Sequence, residues 1–131
     1  MVEKDYIMRL IHELIMMILR LIFHQEVEDP VLAIKDETVK KQYLSYVALA
    51  DQGQINEAEN QIYEDRDTEN QETLKAALLF YDYINAFSEE QLEQADFSRE
   101  EIKDGIDQAL QEFGYNGFDG ISMLDDMFRN S

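Results

Sequence analysis

A long apolar segment near the start of the chain constrains the fold more than any other feature of the sequence. Between positions 6 and 23, 14 of 18 residues are apolar, and the exceptions are Arg9, His12, Glu13 and Arg20. A membrane span needs about 18 to 20 consecutive apolar residues, and here charges interrupt the run. The opening MVEKD also lacks the basic start and small-residue cleavage site of a signal peptide. We therefore expect a helix that spans no membrane, in a cytoplasmic protein.

In a helix, the charged side chains of this segment fall into one narrow sector. Asp5, Arg9, Glu13 and Arg20 share that sector at about 100° per residue. The remaining arc of about 240° is apolar, which is wider than a helix needs to cover one side of a core. We therefore expect burial on both flanks, either inside the chain's own core or against a second copy or another protein. Docking on a membrane surface is disfavoured because the polar stripe is not basic.

Burial of one flank against a second copy predicts a homodimer that forms through the apolar arc. The residues that we expect to mediate this self-association are Ile7, Leu10, Ile11, Leu14, Ile18 and Leu21.

The charge of the chain is distributed unevenly. The formal net charge is −18, and it lies entirely in residues 26–131, because residues 1–25 carry three basic and three acidic side chains. A field of this sign repels nucleic acid and anionic membranes and favours basic partners. Plain solubility is the simplest interpretation of the acidity. We expect no direct binding of nucleic acid.

The pattern after the first helix predicts an all-α fold. Apolar residues recur with a helical period, no window shows the alternation of a strand, and five glycines with one proline are few for an all-β chain. We expect one domain over residues 1–131, a helical array or bundle of about six helices. Its parts are a hydrophobic N-terminal helix (1–25), an acidic connector (26–37), helical hairpins (38–113), and a C-terminal loop with a short helix (114–131).

Local signals predict where the later helices begin and end. The chain carries capping residues at helix starts and glycines at helix ends, and the only proline, Pro30, lies in the connector. The predicted helices are 38–51, ending at Gly53; 55–64; 67–87, capped by Asp67 and Thr68; 88–95 and 98–113, each opened by a serine capping box; and 121–128.

Several apolar positions coincide when the chain is shifted against itself, with Leu44 falling on Leu78 and Ala58 on Leu92. The shift equals the period of the tetratricopeptide repeat, about 34 residues. The stretch 49–58 also resembles the turn of such a repeat, with Gly53 ending one helix. We therefore expect tetratricopeptide-like hairpins packed on the N-terminal helix, with an irregular bundle as the alternative.

The opening DYIMRLI (5–11) and the Met- and Leu-rich helix that ends in LIF (21–23) resemble a family of small acidic proteins of Gram-positive bacteria, known only as a domain of unknown function. The similarity is concentrated in positions 1–25 and continues more weakly to about position 110. The resemblance implies a cytoplasmic, bacterial, helical protein. It supplies no activity, ligand or catalytic residue.

The residues that usually carry catalysis or bind metals are scarce. The chain contains no cysteine and two histidines, and His12-Glu13 is only half of a zinc-protease motif, because Met16 stands where the second histidine belongs. No nucleophilic serine turn and no glycine-rich phosphate loop is present. We therefore expect no catalytic, cofactor or metal site, and no enzyme.

Aromatic residues offer a candidate binding groove. Tyr46, Tyr83 and Phe87 fall beside the main apolar faces of their predicted helices. In a helical array such rings can line a groove for a basic or amphipathic peptide. The simpler interpretation, which we prefer, is that they thicken the core between helices.

These observations favour a non-catalytic protein-interaction module that self-associates through its N-terminal helix and binds a protein or peptide partner. The alternative is an acidic regulator, or nucleic-acid mimic, that occupies a basic site on another protein.

Overall fold

The computed structural model describes residues 4–115 and is all-helical there, with no strand in that range. Seven helices succeed one another along this part of the chain. They are α1 (Lys4–Phe23), α2 (Pro30–Ala33), α3 (Glu37–Asp51), α4 (Ile55–Asp65), α5 (Gln71–Asn85), α6 (Glu89–Gln94) and α7 (Arg99–Glu112). The all-α prediction is confirmed, whereas the predicted helix at 121–128 lies outside the described residues.

The helix at the centre of the fold is α5. Helices α1, α3 and α7 each pack along it, and α4 packs against α3. Every residue from Leu74 to Tyr81 is buried, so α5 is covered around its full circumference. Helix α1, with its wide apolar arc, covers one side of α5 and is not the central helix.

Helix α1 buries one face and leaves a flank accessible. Ile11, Ile15, Ile18 and Leu19 are fully buried in the core. Leu21, on the other flank, is 59% exposed. The helix ends at Phe23 because His24 adopts a left-handed backbone conformation, with φ 55°. The wide apolar arc is therefore only partly covered by the chain itself.

The acidic connector contains a helix that the sequence pattern did not indicate. Asp29 caps α2 by accepting the Val31 N–H, and Pro30 occupies the first helical position, where its missing N–H costs no hydrogen bond. This short helix raises the count from about six to seven among the described residues. Pro30 thus starts a helix in addition to separating α1 from α3.

Helix α5 begins later than predicted, and its N-cap residue differs from the prediction. The N-cap is Asn70, whose side chain accepts the Glu72 N–H, and not Asp67 or Thr68. Asp67 instead accepts the N–H of Glu69 in a local turn. Aspartate and asparagine both stabilise such turns, so the sequence alone does not separate the two roles. The helix also ends at Asn85, two residues before the predicted end.

Other local predictions are confirmed. Ser88 with Gln91, and Ser98 with Glu101, form reciprocal capping boxes at the starts of α6 and α7. Glycines 53 and 114 have φ of 79° and 85°, the left-handed conformation that ends a helix.

Helix boundaries repeat with the period seen in the sequence. Helices α3 and α5 both have 15 residues and begin at Glu37 and Gln71, one such period apart. Helices α4 and α6 begin at Ile55 and Glu89, which are separated by the same interval. The two N-cap side chains meet, because Asn70 Nδ2 donates to Asp36 Oδ2 at 3.0 Å. The tetratricopeptide-like packing itself stays a prediction.

The close approach of α7 to α5 depends on Gly105. A Cβ atom at this position would lie 2.3 Å from Cζ of Tyr81. The Tyr81 ring is fully buried, and its hydroxyl donates to Glu59 Oε2 at 2.7 Å. The hydroxyl end of the ring is therefore held by a hydrogen bond to Glu59 and by close packing against the backbone of α7 at Gly105.

We predict that Gly105→Ala destabilises the fold although alanine is the better helix former. Displacing the Tyr81 ring costs about 1–3 kcal/mol, which exceeds the gain of about 1 kcal/mol in helix propensity. Urea unfolding followed by circular dichroism measures the difference. Gln111→Ala, an exposed position on the same helix, is the control and changes stability by less than about 0.5 kcal/mol. A neutral or stabilising Gly105→Ala would contradict the packing of Tyr81 against α7.

Glu72 joins α5 to the segment before α3. Burial raises the pKa of this carboxyl, but hydrogen bonds from Lys75, Lys35 N and Asp36 N outweigh it, and the pKa ends below its ordinary value of 4.5. A carboxylate whose pKa is lowered by folding stabilises the native state above its unfolded pKa, and that contribution is lost as the pH falls through the folded value.

We predict that Glu72→Gln lowers the unfolding free energy by about 1–2 kcal/mol at neutral pH. The difference from the wild type shrinks as the pH falls below 4.5, because protonation of Glu72 then removes the same charge. Urea titrations at several pH values measure the difference in unfolding free energy between the variant and the wild type. Glu37→Gln is the control, because the Glu37 side chain is 76% exposed. A difference that stays constant with pH would contradict the role of the Glu72 charge.

Candidate interaction surfaces

The six α1 residues predicted to mediate self-association divide into two groups. Ile11 and Ile18 are fully buried against the chain's own core, and Ile7 and Leu14 are 7% and 6% exposed at its edge. Leu10 is partly exposed and Leu21 largely so. The prediction that these residues form a dimer contact stays untested, and only the second group offers substantial surface to a partner.

The accessible apolar residues of α1 lie on one flank. It runs through Tyr6, which is 47% exposed, to Leu10, Met17 and Leu21. At about 100° per residue these four side chains lie within a narrow sector of the helix. Apolar side chains aligned on one helix flank of a highly charged protein are candidates for an interaction surface.

Tyr46 lies inside the core. It is 4% exposed, its ring contacts Phe80 edge-on at 6.2 Å, and its hydroxyl donates to Asp65 Oδ2 at 2.7 Å. Burial and this carboxylate raise the pKa of the Tyr46 phenol. For Tyr46 the structure therefore matches the simpler interpretation, a ring that thickens the core.

Tyr83 and Phe87 are brought together near the surface. Their ring centroids are 5.6 Å apart in an edge-on arrangement, and both side chains are half-buried. The Tyr83 hydroxyl donates to Asp51 Oδ1 at 2.6 Å, which fixes the end of α3 against α5. Tyr83 thus supports the position of Phe87.

Phe87 separates two clefts on the protein surface. One, of about 340 Å³, is lined by Ala50, Asp51, Gln52, Gly53, Phe87, Gln91 and Gln94. The other, of about 370 Å³, is lined by Asp5, Met8, Ala86, Phe87, Ser88, Glu89, Gln91 and Arg99. Because Phe87 and Gln91 line both, the two clefts form one surface, which we call the Phe87 surface.

Arg99 holds the backbone beneath the Phe87 surface. Its guanidinium donates to the carbonyl oxygens of Asn85 and Phe87, at 2.9 and 2.6 Å, and pairs with Glu89. These carbonyls lie where α5 ends, so a cation there also complements the helix dipole. The sequence pattern did not indicate this role, because Arg99 has the position of an ordinary first-turn residue of α7.

The Phe87 surface combines an aromatic ring, amide side chains and acidic groups. Asp51, Asp5 and Glu89 line it, and among its described residues Arg99 is the one cation, already paired with Glu89. Glutamine side chains can hydrogen-bond an extended backbone, and a ring between two clefts can receive apolar side chains. The geometry suits a peptide with apolar and basic residues.

Other polar contacts between helices lie away from the Phe87 surface. Tyr81 donates to Glu59, and burial raises the pKa of the Glu59 carboxyl above its ordinary value. Arg66 pairs with Glu112 and stacks over the ring of Tyr63 at 4.7 Å. None of these residues lines the two clefts at Phe87. The contacts join α4, α5 and α7 and have the character of structural hydrogen bonds.

His12 contacts α5 instead of facing a metal site. Its Nδ1 lies 2.6 Å from Asp82 Oδ1, and burial raises the pKa of the Asp82 carboxyl despite this partner. Within residues 4–115 no group of three or more histidine or acidic side chains could hold a metal ion. No helix in that range has the length and apolarity to cross a membrane.

The model of a protein family, described as a family of unknown function (DUF6483), matches residues 1–114. No curated protein matches the chain, and no solved structure does. The match confirms the resemblance to a family of unknown function and covers the chain from the first helix to just past the end of α7. The Gram-positive origin stays a prediction.

Proposed function

The chain belongs to this family of unknown function, DUF6483, and we propose that it is a non-catalytic protein-interaction module. It binds a basic, partly apolar peptide segment of a partner at the Phe87 surface and associates with itself through α1. The observation that carries the proposal is the partly exposed Phe87 ring, which lines two clefts of about 340 and 370 Å³.

Charge supports the choice of a basic peptide. The net charge of −18 attracts cationic segments over long distances, and Asp51, Asp5 and Glu89 give the surface the same sign locally. A hydrophobic contact at Phe87 then contributes affinity that salt does not screen. The proposal thus combines electrostatic attraction with an apolar anchor.

The repeating helix boundaries support the module assignment. Helices that recur with a period of about 34 residues are typical of tetratricopeptide-like arrays, which bind peptides along their helices. The starts of α3 and α5, and of α4 and α6, follow this period. The resemblance of residues 5–23 favours a bacterial, cytoplasmic setting for this role.

We predict that short peptides containing both Leu or Phe and Lys or Arg bind the wild type, and that Phe87→Ala weakens binding at least tenfold. A tenfold loss corresponds to about 1.4 kcal/mol, a modest value for an aromatic anchor. Fluorescence anisotropy with labelled peptide pools measures the affinity, and acidic–apolar pools are the comparison. Leu44→Ala, on the 46% exposed Leu44 of α3, is the matched control and leaves binding unchanged.

The salt dependence of peptide binding distinguishes this proposal from the alternative, an acidic regulator that occupies a basic site on a partner. If Phe87 anchors the peptide, a substantial part of the affinity survives an increase from about 0.05 to about 0.5 M NaCl. If no peptide pool binds, the Phe87 surface is not a peptide site. Binding that is equal in Phe87→Ala and disappears with salt would favour the acidic regulator that occupies a basic site by charge alone.

A further inference from the structure

One edge of the apolar arc of α1 has the spacing of a coiled-coil seam. Ile7, Leu10, Leu14, Met17 and Leu21 succeed one another at alternating intervals of three and four positions. This is the a/d pattern with which one helix packs lengthwise against another. We call these five residues the α1 stripe.

The α1 stripe lies at the border between the core and the surface. Ile7 and Leu14 form its inner edge, at 7% and 6% exposed, while Leu10 and Met17 are partly exposed and Leu21 is 59% exposed. A second helix laid along this border would cover the accessible parts and extend the core outward. The stripe therefore offers several aligned apolar side chains instead of an isolated apolar residue.

The charges beside the α1 stripe are self-complementary. Glu13 and Arg20 both lie on its solvent side, about two helical turns apart, and both are exposed. In a dimer whose two-fold axis passes near the middle of the stripe, the two α1 helices lie antiparallel. Leu10 then lies beside Leu21 of the second copy, and Leu14 lies beside its Met17. The same operation brings Glu13 close to Arg20 of the second copy, twice by symmetry. A parallel arrangement sets Glu13 level with Glu13 and gains no such pair.

Charge repulsion in the rest of the chain favours contact between two copies at this face. Residues 26–131 carry the whole net charge of −18, so two copies repel each other when these parts meet. Residues 1–25 are neutral. Arg20 is available for a new contact, because its ion pair with Glu26, at 3.5 Å, joins two exposed side chains and is weak.

We propose that the occupant of the α1 stripe is a second copy of this chain, docked antiparallel with two Glu13–Arg20 pairs across the interface. This rests on the proposed self-association and adds its residues, its direction and its charge pairing.

The test exchanges the two charges. In the Glu13→Arg variant, two arginines face each other at both positions where the wild type has an ion pair. In the Arg20→Glu variant, two glutamates do so. Because like charges repel, each variant alone dimerises at least tenfold more weakly than the wild type. The double variant Glu13→Arg/Arg20→Glu recovers wild-type dimerisation. An equimolar mixture of the two single variants forms mixed dimers in excess of either homodimer. Native mass spectrometry distinguishes these species, and analytical ultracentrifugation measures their affinities.

A second variant tests the apolar contact. Leu21→Glu, at an exposed position that the fold does not need, abolishes the dimer, whereas Leu32→Glu, on the 72% exposed Leu32 of α2, leaves it intact. Circular dichroism confirms that each variant folds.

The outcomes distinguish failure of the antiparallel α1 contact from failure of the proposed self-association. A wild type that is monomeric at all concentrations overturns both. A dimer that is insensitive to Leu21→Glu overturns the α1 stripe and leaves self-association standing. A dimer that requires Leu21 but is unaffected by the charge exchanges overturns the antiparallel pairing alone.

Discussion

The fold depends on one helix, α5, that is buried around its whole circumference. Polar side chains at both ends of that helix join it to its neighbours. Lys75 donates to the Ala33 carbonyl at the end of α2 at 2.9 Å, and Asn85 donates to the Met8 carbonyl of α1 at 2.8 Å. Arg99 of α7 in turn donates to the Asn85 carbonyl at 2.9 Å. Because buried polar groups are costly when unpaired, these contacts fix the register of the helices around α5.

This arrangement explains which parts of the fold the sequence could predict. Helix ends at Gly53, Ser88 and Ser98 depend on interactions within a few residues, and the predictions there agree with the structure. The central position of α5 depends on the pairing of Lys75 and Asn85 with distant carbonyls. Those carbonyls belong to residues far away in the sequence, so a local pattern does not indicate that Lys75 and Asn85 are buried.

The candidate surfaces were predictable to different degrees for the same reason. Tyr83 lies in the last turn of α5 and Phe87 two residues past its end, so their proximity follows from the turn that ends the helix, in which Phe87 N donates to the Ile84 carbonyl. Tyr46 reaches Asp65 and Phe80, contacts that only the packing of three helices creates. Arg99 was not predictable as a support of Phe87, because its role arises from carbonyl groups freed where α5 ends.

Among the described residues, the α1 flank and the Phe87 surface are the candidate interaction surfaces. The α1 flank is neutral in a chain of net charge −18, which makes it the face on which two copies meet with least repulsion. The Phe87 surface lies at the ends of α3 and α5, where acidic groups and amides surround a ring. One surface suits assembly and the other suits capture of a basic segment.

The measurement that tests the central claim most directly is the solution mass of the full chain, by size exclusion with light scattering in the absence of detergent. If the chain is a self-associating interaction module, the mass rises with concentration from 15.4 kDa toward twice that value. A mass that stays at 15.4 kDa at every concentration would contradict it, because the accessible flank of α1 would then have no second copy to cover it.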